Sequence, residues 1–126
     1  NILRHKLKNI STIQSDWFEN IRKRKFDIIV SNPPYIDKSD PHLENKELLY
    51  EPKKALISEQ EGYADIVKII TLSPKFLKHK GALFLEHGYN QHEKINQLFS
   101  DNNFINIEQN QDLNRIIRST SGKFKI

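Results

Sequence analysis

Between Asp27 and Tyr35 the chain reads DIIVSNPPY. Asn32 brings a carboxamide and Tyr35 a phenol, groups that bind and orient a ligand rather than attack it. Two prolines fix where they stand. Neither can donate to a sheet ladder, and Pro34 drives Pro33 into extended geometry, so the chain leaves the preceding strand as a stiff loop. The strand itself, Asp27 to Val30, is β-branched and continuous. That pattern predicts an inner parallel strand buried on both faces. In open α/β sheets ligands bind at the carboxyl ends of such strands, where a rigid loop presents Asn32 and Tyr35 at little ordering cost.

Other polar residues carry less. Glu51, in a YEP stretch, and Glu86, at a strand end, can orient such a site. The histidines at 5, 42, 79, 87 and 92 have no metal-ligand spacing, and His42 and His87 are expected to hydrogen-bond loops. Cysteine is absent, which excludes disulfides and thiolate metal sites. The net charge of +4 is uneven: residues 1 to 25 hold seven Lys/Arg against Asp16 and Glu19, whereas the remainder holds 13 against 14. The RKRK run at 22 to 25 has no interleaved aromatics and reads as a solvated connection rather than a nucleic-acid patch.

Positioning these residues requires one core, which 126 residues can supply. No apolar run approaches the roughly 20 residues of a membrane span. No export leader is visible, so a cytoplasmic location is expected. Residues 1 to 8 read as a helix end and Ile10 to Gln14 as a short strand, followed by the strand Phe26 to Ser31. Residues 36 to 61 form a long loop with one turn of helix, a length that points to function. Apolar spacing predicts a helix from Gly62 to Leu77, kinked or ended by Pro74. Gly81 opens a strand from Ala82 to Glu86. Asn90 and Glu93 suggest a capped helix running to about Asp101. Phe104 to Glu108 and Arg115 to Phe124 close the pattern, the second interrupted by Gly122. Strand and helix alternate, so the fold class is α/β.

NPPY at a strand end resembles motif IV of class I methyltransferases acting on planar nitrogens. Such a nitrogen is a poor nucleophile because its lone pair is delocalised, and orientation helps it more than a strong base. The Asn32 side-chain oxygen and the Pro33 carbonyl can each accept one N–H, fixing the plane, while Tyr35 stacks on the group. With DPHL at 40 to 43, YEP at 50 to 52, GYADIVKII, LFLEHG and RxxxGK at 118 to 123, nearly the whole chain resembles the release factor-specific protein-(glutamine-N5) methyltransferases of the HemK type. That resemblance implies S-adenosylmethionine as cofactor and the Gln of a Gly-Gly-Gln loop in peptide chain release factors as substrate. Trp17 is implied as an adenine contact and Asp16 as acceptor for the adenine amino group. Asn32 then touches cofactor and amide, and Pro33, Pro34 and Tyr35 line the glutamine pocket. A monomer that binds neither membrane nor nucleic acid directly is expected.

The chain departs from the family pattern at Lys46-Glu47, where Gly-Asp is usual, at Leu49, where Arg is usual, and at Asn114, where a Gly is usual. None of Gly62, Gly81, Gly88 and Gly122 lie close enough together to form the cofactor's Gly-rich turn. The resemblance therefore implies the carboxyl-terminal portion of a class I, Rossmann-like sheet (order 3-2-1-4-5-7-6) lacking its first two strands. Residues 1 to 126 would be a partial catalytic domain from strand 3 onward, with residues 10 to 14 left without a neighbour. Two rival readings remain open: an adenine-N6 nucleic-acid methyltransferase, and an inactive truncated remnant.

Overall fold

The computed structural model describes residues 1–45 and 48–126, so the departure at Lys46-Glu47 lies outside the described residues. Four strands form one sheet: β1 (Phe26–Ser31), β2 (Leu77–Glu86), β3 (Phe104–Gln111) and β4 (Ile117–Phe124), in the order β1-β2-β4-β3. β1 runs parallel to β2, and β4 lies antiparallel between β2 and β3. That order is the 4-5-7-6 part of the expected class I sheet, so the α/β class and the Rossmann-like portion are as read from the sequence.

Helices α1 (Lys53–Leu56), α2 (Glu59–Gly62), α3 (Ala64–Leu72) and α4 (His92–Asp101) connect the strands. The two longer ones follow their apolar spacing: Ile66, Ile69 and Ile70 of α3 and Ile95 and Phe99 of α4 are buried with Leu83 and Leu85 of β2 and Phe104 of β3. Each such side chain contributes roughly 1.5–3 kcal/mol. Gly122 does not interrupt β4 but lies within it, where a Cβ would stand 2.9 Å from Cδ1 of Phe99. The absent side chain makes room for the core phenylalanine.

Several boundaries move. Pro74 ends α3 early, and Ser73–Lys75 forms a 3-10 turn instead. Gly81 lies inside β2, yet the continuous pairing with β1 does begin at Ala82. Gln91, not Asn90, precedes α4, and its side chain turns back to accept from the Gly88 N–H at 2.9 Å. The long loop holds 3-10 turns at Pro41–Glu44 and Leu48–Tyr50 besides α1 and α2. Its base is closed by a parallel bridge in which the Ile36 N–H donates to the Leu56 carbonyl at 3.0 Å and the Ser58 N–H to the Ile36 carbonyl at 3.0 Å.

Three expectations fail. Turns with backbone hydrogen bonds occupy residues 1–8, and residues 10–14 are irregular rather than strand. A strand needs a ladder partner, and the described residues offer none there. β1 is not buried on both faces either: Ile28 and Val30 are 58% and 76% exposed, while Ile29 packs on the core. Ile28 and Val30 alternate with Ile29, and among the described residues the helices cover only Ile29's face.

Candidate active site

β1 delivers Asn32 to the surface and Pro33 into the interior, so the motif is seated by a buried proline and ends in an exposed carboxamide. Beyond it, a cavity of about 250 Å³ is lined by Asn32, Pro33, Pro34, Tyr35, Glu51 and Glu86, with Ala55 and Leu56 from the long loop. A second cavity of about 520 Å³ opens on the other side of Asn32, among Asp16, Trp17, Pro34, Lys54 and Asp65. Asn32, Pro34 and Ala55 belong to both. All six residues singled out from the sequence thus meet at two adjoining cavities with Asn32 as shared wall.

The smaller cavity is braced from the core. The Tyr35 hydroxyl donates to Oε1 of Glu86, at the end of β2, at 3.1 Å. Burial, and then the Glu86 carboxylate, raise the phenol's pKa, which keeps the hydroxyl protonated as a donor. The Tyr35 carbonyl accepts from Nε2 of Gln91 at 3.1 Å, and the same amide nitrogen donates to the Gly62 carbonyl at 3.3 Å. Gly62 has φ +83°, and a Cβ there would fall 2.2 Å from the Tyr35 oxygen. Only glycine fits.

The larger cavity depends on polar contacts with α3. Trp17 adopts φ 48°, uncommon for a bulky residue, and its indole Nε1 donates to Oδ1 of Asp65 at 2.9 Å. Oδ2 of Asp65 accepts from the Ser58 hydroxyl at 2.7 Å. Asp16 lines the cavity too, with its Oδ1 already taken by Lys68 at 3.0 Å.

His42 pairs with Asp40 in its own loop at 2.7 Å. His87, fully buried, donates from Nδ1 to the Gly88 carbonyl at 2.9 Å and accepts at Nε2 from the Thr120 hydroxyl at 2.8 Å. Both bond loops, as expected, and His87 also bonds Thr120 of β4. Burial lowers the imidazole's pKa and keeps it neutral. Asp65, Ser58 and Gln91 escaped the sequence reading. Asp65 lies in the quoted GYADI stretch, but a carboxylate in the first turn of a helix already has an ordinary explanation in the helix dipole.

A family model described as Eco57I restriction-modification methylase matches residues 2–126. The chain belongs to that methylase family. The chain is 46% identical over 123 residues to the release factor glutamine methyltransferase of Pasteurella multocida (strain Pm70), covering 97% of this chain and 41% of that protein. It is 44% identical to the same-named protein of Haemophilus influenzae (strain ATCC 51907 / DSM 11121 / KW20 / Rd), over 93% of this chain and 40% of the relative. For the Escherichia coli (strain K12) protein of that name the values are 42%, 94% and 43%. The resemblance read from NPPY, DPHL and LEHG therefore holds across nearly the whole chain, and the chain spans about two fifths of these relatives' length. The crystal structure of a protein-(glutamine-N5) methyltransferase (release factor-specific) from Alicyclobacillus acidocaldarius subsp. acidocaldarius DSM 446 superposes with TM-score 0.53 at 24% identity, over 84% of this chain and 53% of that one. This methylase family member thus shares its fold.

Proposed function

We propose that these residues are part of the catalytic domain, from strand 3 onward, of an enzyme that methylates the side-chain amide of the Gln in the Gly-Gly-Gln loop of peptide chain release factors. The carrying observation is that Asn32 lines both cavities, where a group must sit to hold an amide against a methyl donor. The relatives' names, release factor glutamine methyltransferase, support a release factor glutamine as the substrate.

The lining of the larger cavity fits S-adenosylmethionine. Trp17, Pro34 and Ile57 offer apolar surface to an adenine ring, Asp16 offers a carboxylate oxygen to its amino group, and Lys54 offers a cation. When bound, the cofactor supplies an electrophilic methyl. The chain's own part is orientation: Asn32 Oδ1 and the Pro33 carbonyl accept the two amide N–H groups, and Tyr35 stacks on the amide plane. Glu86 fixes the Tyr35 ring through its hydroxyl. Water takes the released proton.

The test is methyl transfer by the full-length gene product to a release factor. Asn32→Ala should lower kcat about 10²–10³-fold, the cost of removing one oriented polar partner, with a small change in cofactor KM. Equal activity would remove Asn32 from the mechanism. The description of the family model favours a second reading, transfer to an adenine amino group of nucleic acid. The near-neutral charge after residue 25 speaks against a phosphate-binding groove, and parallel assays on a Gly-Gly-Gln peptide and on adenine-containing DNA separate the two. With no Gly-rich turn among its four glycines, the 126-residue chain alone should bind cofactor weakly. Micromolar binding by calorimetry would contradict this, and an inactive full-length product would favour the remnant reading. No helix of the described residues is long and apolar enough to cross a membrane. We place the enzyme in the cytoplasm as a monomer.

A further inference from the structure

We propose that Asp65 is a positioning residue that sets the width of the larger cavity by holding two of its walls on one carboxylate. The inference deepens the methyltransferase reading and rests on it for the cavity's use.

Besides Asp65 itself, three chain segments line the cavity: Asp16-Trp17, Asn32 with Pro34, and the stretch from Lys54 in α1 to Ile57. They are distant in sequence. Asp65 Oδ1 accepts the Trp17 indole N–H at 2.9 Å, which fixes the first wall. Oδ2 accepts the Ser58 hydroxyl at 2.7 Å, and the Asp65 N–H donates back to Ser58 Oγ at 3.1 Å, which fixes the end of the third. Ser58 is buried, and its backbone N–H donates to the Ile36 carbonyl at 3.0 Å, just past the NPPY motif. One polar path therefore runs from Trp17 through Asp65 and Ser58 to the loop that carries Asn32. Asp65 sits in the first turn of α3, whose Ile66, Ile69 and Ile70 are fully packed, so the carboxylate is held by the core. A half-buried carboxylate accepting side-chain donors from two different walls is a spacer: lose it, and Trp17, held at φ 48°, keeps only its packing on the core to aim it at the cavity.

The chain contains a single tryptophan, so its fluorescence reports Trp17 alone. In the 126-residue chain, Asp65→Ala should shift Trp17 emission to the red and raise acrylamide quenching about 2-fold while far-UV circular dichroism is retained, because a half-buried indole is released to water. Asp65→Asn keeps an oxygen for the indole and an N–H for Ser58, and should restore the wild-type spectrum. In the full-length gene product, Asp65→Ala should raise cofactor KM about 10–100-fold through misplacement of the walls, with release-factor KM changed less than about 3-fold, and Asp65→Asn should rescue it. Ser58→Ala severs one arm only and should give an intermediate rise. Unchanged emission and KM in Asp65→Ala, no effect of Ser58→Ala, or Asp65→Asn as defective as Asp65→Ala would each overturn the spacer role. A full-length product inactive on release factors would sink the proposed reaction instead, and leave the fluorescence result to decide Asp65.

Discussion

The two walls that meet at Asn32 are built differently. The NPPY side is tied into the sheet and α4: Pro33 is buried, Tyr35 is held by Glu86 and Gln91, and the Tyr35 carbonyl touches Gly62. The Asp16-Trp17 side comes from a segment whose first fourteen residues are almost all exposed. It meets the rest through the indole bond to Asp65, an exposed ion pair to Lys68, the stack of Phe18 on Phe76 at 4.7 Å, and partial packing of Trp17 and Phe18 on the edge of the core. The amide-facing side is preformed by the core. The cofactor-facing side is suspended from α3 by a few contacts, so its local opening should cost far less than global unfolding.

The sharpest way to break that comparison is Gly62→Ala. The added Cβ meets the Tyr35 carbonyl at a φ that favours glycine, so a loss of about 2–4 kcal/mol in unfolding free energy is expected from thermal or urea denaturation. An unchanged midpoint would mean that the NPPY wall is not braced there. Phe18→Ala should cost less, about 1–2 kcal/mol, because the ring is half-buried and gives up one stacking partner. If it cost as much as the glycine change, the suspended wall would belong to the core after all.

The close fit of Gly62 under the NPPY wall was not readable in advance. Helical and alternating apolar spacing exposed the order of elements, because burial selects for periodicity. The NPPY loop, Tyr35 included, was legible because proline chemistry is local, and Asp16 and Trp17 were found through resemblance. The hidden part is relational. Ile28 and Val30 look like the interior of a two-faced sheet, and nothing local says which face the helices cover. Ile10 to Gln14 has strand composition, but a strand exists only with a partner. Gly62 reads as the start of a helix until Tyr35's carbonyl is found against it, and Asp65 reads as a helix-dipole residue until Trp17 and Ser58 are found on its two oxygens.

Smaller effects sharpen the same contrast. Tyr35→Phe removes one hydrogen bond to Glu86 and should cost about 0.5–1.5 kcal/mol. The raised phenol pKa adds a pH signature: the unfolded phenol ionises near 10 while the folded one resists, so the wild type should lose stability as pH rises through that range and Tyr35→Phe should lose less. His87 acts at the other end. Its pKa is lowered by burial and further by His92 and Arg118, partly opposed by its bond to Gly88 and by Glu86. Its contribution is complete above the ordinary imidazole value near 6.5 and is lost as pH falls through the folded value, so unfolding midpoints should drop below pH 6.5. A His87→Asn variant, less stable at neutral pH, should show a flatter profile there.

The smallest expected effect belongs to Lys68→Ala. Lys68 reaches the same turn as Asp65 does, with Nζ 3.0 Å from Asp16 and 3.6 Å from Glu19, and it leaves the same helix one turn later. Geometry alone would make the two residues equal partners. Solvent decides otherwise: the ion pair is exposed, water and salt screen it, and ordering two long side chains offsets what remains. Lys68→Ala should therefore leave the thermal midpoint and Trp17 emission unchanged at physiological ionic strength, and show a small loss only at low salt. If it shifted Trp17 emission as far as Asp65→Ala does, charge rather than the half-buried hydrogen bonds would hold the cofactor-facing wall, and its width would vary with ionic strength.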